Sequence, residues 1–170
     1  MKQLSPVWSF LRDVALGVLI WFLITATIGE ARMVPSSSME PTIQIGDRLW
    51  TDKLLLRFEP IKRGDIVVLN TPFKTSDPYI KRVIGLPGET VTINGGKVWI
   101  NGQPLNEPYE KQPPNYTWGP VTISAGQYLV LGDNRNDSYD GHYWGLLSRN
   151  EIIARAVYRI WPLNRIGNIK

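Results

Sequence analysis

The sequence predicts a mainly β domain: one N-terminal transmembrane helix followed by a compact antiparallel β region. Three observations predict it. Residues 14–29 contain no charge between Asp13 and Glu30. Behind them come many short runs of β-branched and aromatic residues, each closed by Gly, Pro or Asn, as in an all-β domain. The chain also has no internal repeat and no glycine-rich phosphate loop. Its 170 residues, 43% of them hydrophobic, suffice for one domain and an anchor.

The charge-free stretch is short of the roughly 20 residues a spanning helix needs, but Trp8, Phe10 and Leu11 extend it across Arg12. It has almost no polar face, unlike a core helix, and no Ala-X-Ala cleavage pattern follows it. An uncleaved span is therefore expected, with residues 1–13 before it, the anchor at 14–30 and the domain at 31–170. The N-terminal amine, Lys2 and Arg12 on one side against Arg32 on the other lean toward a cytoplasmic N-terminus and an extracytoplasmic domain.

Next, Pro35-Ser36-Ser37-Ser38-Met39-Glu40-Pro41-Thr42 sets three serines between two prolines. Proline fixes its own φ and pushes its predecessor toward extended backbone, so the serines lie on a bent, non-helical segment. Taken alone, this segment also reads as a polar linker. Gly46-Asp47 is a turn and residues 48–51 a short strand. Leu54, Leu55, Leu56 and Phe58 form an apolar patch, either core or a surface resting on lipid. Ile66-Val67-Val68-Leu69 is a buried strand, and residues 70–78 a loop.

Tyr79-Ile80-Lys81-Arg82-Val83-Ile84 is a strand with one cation on each face. A solvated edge lysine is the usual reason for such a residue. Residues 90–93 and 97–100 make a hairpin around Asn94-Gly95-Gly96, and Asn101-Gly102 is another tight turn. Residues 106–120 hold four prolines and read as an irregular surface loop. Residues 121–123 and 127–131 are strands joined by Ser124-Ala125-Gly126. A long polar segment fills 132–145, and residues 152–160 form a last strand, or a short helix running into one, that Pro162 ends.

The net charge is +4, and the basic residues are scattered. No nucleic-acid footprint results, whereas an anionic membrane face fits. Without Cys there is no disulfide and no thiol catalysis; with His142 as the only histidine, zinc is not expected. A serine becomes a nucleophile when a base removes its proton. His142 is one candidate base. A lysine in an apolar strand, such as Lys81, is another, because burial favours its neutral form.

Taken together, four blocks resemble the type I signal peptidases, membrane-bound Ser/Lys-dyad serine proteases. They are Ser36 to Thr42, Arg63-Gly64-Asp65-Ile66-Val67-Val68, Tyr79 to Glu89, and Gly132-Asp133-Asn134-Arg135 through Ser138, Asp140 and Tyr143-Trp144-Gly145. With the anchor, the resemblance covers nearly the whole chain. It implies an endopeptidase that removes signal peptides from exported preproteins, with small residues before the cut. It further implies Ser38 as nucleophile, Lys81 as general base, and Ser36 with the Ser38 N–H as the oxyanion hole. Ser138 would orient the lysine. Arg82, Asp133 and Asp140 would support the site, and Met39 would lie at the substrate pocket. Neither metal nor cofactor is expected, and the enzyme would be a monomer touching preprotein and membrane lipid. Its place would be the cell membrane, or the thylakoid membrane in a photosynthetic cell.

The chain departs from the family pattern at Ser37, where Gly is common, at the reversed order Asn136-Asp137, and at Gly141-His142 in place of Ser-Arg or Ser-Lys, which leaves the partner of Asp140 open. Only 50 residues separate Lys81 from Gly132 (132 − 81 − 1), so at most a small second β-lobe is expected. Two other readings fit the residues: a different Ser/Lys processing protease, and a membrane-tethered β-domain that binds without catalysis.

Overall fold

A computed structural model describes residues 6–71, 73 and 77–169, with the backbone alone for Ala26 and Thr27. Lys2, and positions 72 and 74–76 of the expected 70–78 loop, lie outside the described residues.

Helix α1, Pro6–Thr27, begins eight residues before the predicted start (14 − 6). Arg12 does not break it, since arginine is a good helix former; its guanidinium pairs with Asp13 at 2.8 Å. Its 22 residues correspond to about 33 Å, near the thickness of a bilayer core. The stretch Pro6–Thr25 is long and apolar enough to cross a membrane, and none of it is buried against the rest of the protein.

The helix feeds into strand β1, Gly29–Met33, which the sequence reading missed. GEARM has no β-branched residue and becomes a strand only because it pairs with β2, Arg48–Asp52, a tertiary override of propensity. After β2 the apolar patch divides. One helical turn, α2, Leu55–Phe58, is started by the Asp52 carboxylate on the Leu55 N–H at 2.8 Å. It buries Leu56 in a core cluster and leaves Leu54 and Phe58 exposed.

Strands β3, Ile66–Leu69, and β4, Tyr79–Gly85, stand as predicted. The β5–β6 hairpin, Thr90–Asn94 and Lys97–Ile100, turns at Gly95-Gly96, where both φ are positive as a tight right-twisted turn demands. Asn101-Gly102 leads to β7, Gln103–Pro104. Strand β8, Trp118–Thr122, starts inside the stretch read as loop. Pro120 hides it in the sequence, and β8 tolerates that proline because it is an edge strand. Strands β9, Gln127–Leu131, β10, Leu147–Ser148, β11, Ile152–Trp161, and β12, Gly167–Asn168, complete the set. The helical turn α3, Gly141–Trp144, lies within the polar segment.

The strands form two antiparallel sheets. The larger runs β1-β2-β11-β3-β4-β9-β10 with β12 on β11, and the smaller runs β7-β6-β5-β8. The smaller sheet is the expected second lobe, inserted between β4 and β9. Strands β8 and β9 are neighbours in sequence yet lie in different sheets, so residues 123–126 carry the chain back from the lobe. Three clusters fill the interior. One lies under α2 with Val67, Leu69 and Val83, and one joins the sheets through Ile84, Leu129, Val91 and Ile93. The third holds Val34, Met39, Ile43 and Leu49 beneath the serine turn.

Candidate active site

The three serines lie on the loop between β1 and β2. Backbone bonds close its neck, Val34 N–H to the Asp47 carbonyl and Gly46 N–H to the Val34 carbonyl, both at 2.9 Å. Met39 and Ile43, 1% and 0% exposed, fasten its floor to the core. Each proline keeps its predecessor out of helical backbone, and what results is a short turn with Ser38 inside it.

Lys81 approaches from β4. This strand is flanked by β3 and β9, with Val67 opposite Lys81 and Leu131 opposite Arg82. Lys81 is therefore not an edge residue. Its side chain is 3% exposed, and its Nζ donates to Ser38 Oγ at 2.7 Å. Among the described residues no ion pair reaches it. Burial lowers its pKa to about 8, against an opposing pull from the Asp140 and Asp133 charges. The Tyr79 ring lies 5.5 Å from Nζ. A lysine so placed loses its proton near pH 8, well before an exposed one, and stands within hydrogen-bond reach of a serine hydroxyl, the two requirements of a Ser/Lys nucleophile pair. Ser36 Oγ lies 3.3 Å from Ser38 Oγ.

Arg82 points the other way. Its Nε and Nη2 donate to the two oxygens of Asp133 at 2.8 and 2.7 Å, and Nη1 donates to the Gly64 carbonyl at 2.9 Å. Its guanidinium also lies 4.0 Å from the Tyr109 ring centre. Thr42 Oγ1 donates to Asp133 at 2.6 Å, tying the serine loop to the same pair.

The segment after β9 clasps the serine turn. Asn134 N–H donates to the Ser38 carbonyl at 3.0 Å, and its side-chain amide to the Ser37 carbonyl at 3.2 Å. Ser37 Oγ donates to Asp137 at 2.8 Å, so two of the departures from the family pattern bond to each other. Asp140 is fully buried and accepts from the Gly132 N–H at 2.8 Å. It also accepts the His142 N–H at 3.1 Å and lies 2.8 Å from His142 Nδ1. The partner left open for Asp140 is thus His142, which does not reach Ser38. A side chain at Gly132 would meet Ser138 Oγ at 2.3 Å and the Ser38 carbonyl at 2.5 Å, so only glycine lets the strand pass this close.

Ser138 is buried beside Gly132, and its Oγ makes no hydrogen bond among the described residues. The Ser138–Lys81 bond implied by the resemblance is therefore not formed here. Met39 borders the cleft, but at 1% exposure it serves as its back wall. The cleft holds about 370 Å³ between residues 34–39, 77–81, Asp137 and Tyr139.

Sequence reading missed several supports. Thr42, Asn134 and Arg135 lie inside the motif blocks but carried no role. Arg135 is fully buried, donates to both oxygens of Glu107 at 3.0 and 2.7 Å, and holds the Gly132 carbonyl at 3.0 Å. Glu107 and Tyr109 lie in the proline-rich stretch and gave no signal at all.

Comparison with known proteins identifies the family. The family described as signal peptidase, peptidase S26, matches residues 7–161. A signal peptidase I of Leptolyngbya laminosa is 48% identical over 99% of this chain and 86% of its own length. A probable signal peptidase I-2 of Synechocystis is 46% identical over 98% of this chain and 80% of its own. The crystal structure of a signal peptidase I from Enterococcus faecalis matches with a TM-score of 0.51 and 29% identity, covering 57% of this chain and 97% of that one. With a family match over residues 7–161 and relatives at 48 and 46% identity over nearly the whole chain, the chain belongs to the signal peptidase family, peptidase S26.

Proposed function

We propose that the chain removes signal peptides from exported preproteins by acyl transfer, with Ser38 as nucleophile and Lys81 as general base. The observation that carries this reading is the 2.7 Å bond from a buried lysine, without an ion-pair partner among the described residues, to the Ser38 hydroxyl. Neutral Lys81 takes the Ser38 proton as Oγ adds to the scissile carbonyl. The oxyanion is received by the Ser36 hydroxyl and the Ser38 N–H. The C–N bond then breaks, and the leaving amine takes the proton back from Lys81. Water then attacks the acyl carbon while the same lysine takes its proton; the bond from that carbon to Ser38 Oγ breaks, and Lys81 returns the proton to Oγ. Ser138 completes the arrangement as a donor or acceptor for the lysine in the substrate complex, since a buried unmet hydroxyl costs about 1–3 kcal/mol. Small side chains before the cut fit a cleft walled by Val34, Met39 and Ile80.

The anchor belongs to the same reading. Helix α1 spans the membrane with the N-terminus in the cytoplasm, and the β domain works outside as a monomer. An apolar helix open on every side is what a bilayer covers. Lys53 Nζ donates to the Thr25 carbonyl at 3.0 Å, so the residues before α2 are tied to the end of α1, and Phe58, 79% exposed, rests on lipid. A preprotein held in the same membrane meets the site at high effective concentration.

The test is cleavage of one preprotein by the full chain, Ser38→Ala and Lys81→Ala, with the cut mapped on the product. Cleavage by the wild type alone supports the reading. Cleavage by either variant removes that residue from it.

A further inference from the structure

A line of aromatic rings leads outward from the cleft, and the chemistry above uses none of them. Tyr139 forms part of the cleft wall. Its ring centre lies 5.2 Å from Tyr143 and 6.1 Å from Phe73. Tyr143 stands 4.0 Å from the His142 ring, which stacks on Tyr116 at 3.9 Å and 12°. The inner end of this line is fixed. Tyr116 packs against the core that joins the two sheets, and His142 is bonded to buried Asp140. The outer end is bare. Phe73, Tyr139 and Tyr143 are 60, 47 and 67% exposed, and none belongs to a core cluster. Three touching, exposed aromatic rings that run on from a cleft made for polypeptide have the character of a binding surface.

Two sets of residues form the cleft. Val34, Met39 and Ile80 belong to the apolar core beneath the serine turn, a rigid wall suited to the small side chains before the cut. Asp137 and Tyr139 come from the polar segment after β9, and the rings continue from there. A polypeptide lying across Ser38 has chain on both sides of the scissile bond, and the part that does not enter the apolar wall runs over these rings. We propose that Tyr139 and Tyr143, with Phe73 at their margin, bind the first residues of the mature chain after the cut, and favour aromatic or large apolar side chains there. Flat rings with few rotatable bonds give up little entropy on binding, and a phenol hydroxyl at the rim keeps such a strip soluble. The proposal rests on the reading of Ser38 and Lys81 given above.

The test uses the full-length enzyme in lipid and two preproteins that are identical up to the cut. One carries Phe at the second to fourth positions after it, the other Ser. The readout is the ratio of kcat/KM between them, which does not depend on how much active enzyme each preparation holds. The wild type should favour the Phe preprotein by about threefold to tenfold, mainly through KM. The double variant Tyr139→Ala/Tyr143→Ala should bring the ratio to about one, and Tyr139→Phe/Tyr143→Phe should restore it. A wild-type ratio of one overturns the proposal, and so does a preference that survives the double alanine variant. A third preprotein has Ser after the cut, keeps the small residues next to it, and carries the Phe residues further upstream. If the double variant changes its cleavage relative to the Ser preprotein, the rings serve the signal-peptide side and the proposal is wrong. If the wild type cleaves none of the three, the protease reading itself falls, a result distinct from an altered ratio.

Discussion

Lys81 and Arg82 are consecutive residues of β4, buried to nearly the same degree at 3 and 2% exposure, yet their two faces of the strand treat them in opposite ways. On one face Arg82 meets a carboxylate in bidentate contact, a carbonyl and an aromatic ring. On the other, Lys81 meets a serine hydroxyl, and the charges of Asp140 and Asp133 act on it without an ion-pair contact among the described residues. Guanidinium cannot shed its proton in a protein, so a buried arginine has to be matched; a buried lysine can be left unmatched and become neutral. One strand thus holds a structural charge and, on the function proposed above, a chemical base back to back. The arrangement works because both faces of β4 are buried, with β3 and β9 on its edges.

Exchanging the two roles should have the largest effect. Lys81→Arg places a group that cannot act as a base at Ser38, and kcat/KM for a preprotein should fall by about 10⁴-fold or more. Assay at fixed active protein, with circular dichroism to show that the fold is kept, checks it. Next comes the matched face. Asp133→Ala leaves Arg82 buried and unpaired, and should lower the unfolding free energy by about 3–5 kcal/mol in a denaturant titration. Comparable stability would mean that water reaches the guanidinium. Removing one oxyanion donor with Ser36→Ala should reduce kcat about a hundredfold with little change in KM.

A smaller effect sharpens the contrast, because the unmatched lysine costs stability. Its pKa is about 8 folded and 10.5 otherwise. Below pH 8 both states hold the proton and the burial penalty is felt in full. From pH 8 to 10.5 the folded chain releases its proton first, so stability rises with pH and the penalty disappears. Lys81→Met should therefore be more stable than the wild type at pH 7, by about 3 kcal/mol, and the gap should close as the pH approaches 10.5. Arg82→Met should show no such pH-dependent gain. The smallest change is expected from His142→Ala, which should keep most of the activity because its imidazole meets Asp140 and two tyrosine rings, not Ser38.

The two cations of β4 stand out in the sequence as soon as it is read as a strand, and the hairpin turns at Gly95-Gly96 and Asn101-Gly102 are equally plain, because local φ requirements select those residues. The opposite treatment of Lys81 and Arg82 is not local. It depends on Asp133, 51 residues from Arg82, and on Tyr109 in a stretch that reads as loop. Strand β1 exists through pairing with β2, and β8 carries a proline that its edge position excuses. Resemblance supplied Ser38, Lys81, Arg82 and Asp133 as a set. It did not supply the Ser37–Asp137 bond or the His142 partner of Asp140, because both arise where this chain departs from the pattern.

The central claim is that Lys81 acts as a base because it is buried without a matching charge, and the most direct test is the pH dependence of kcat/KM for one preprotein, measured on the wild type and on His142→Ala. This account predicts that activity in both enzymes rises with pH through an apparent pKa of about 8. A wild-type profile that instead rises near the ordinary histidine value of about 6.5, and loses that limb in His142→Ala, would contradict it.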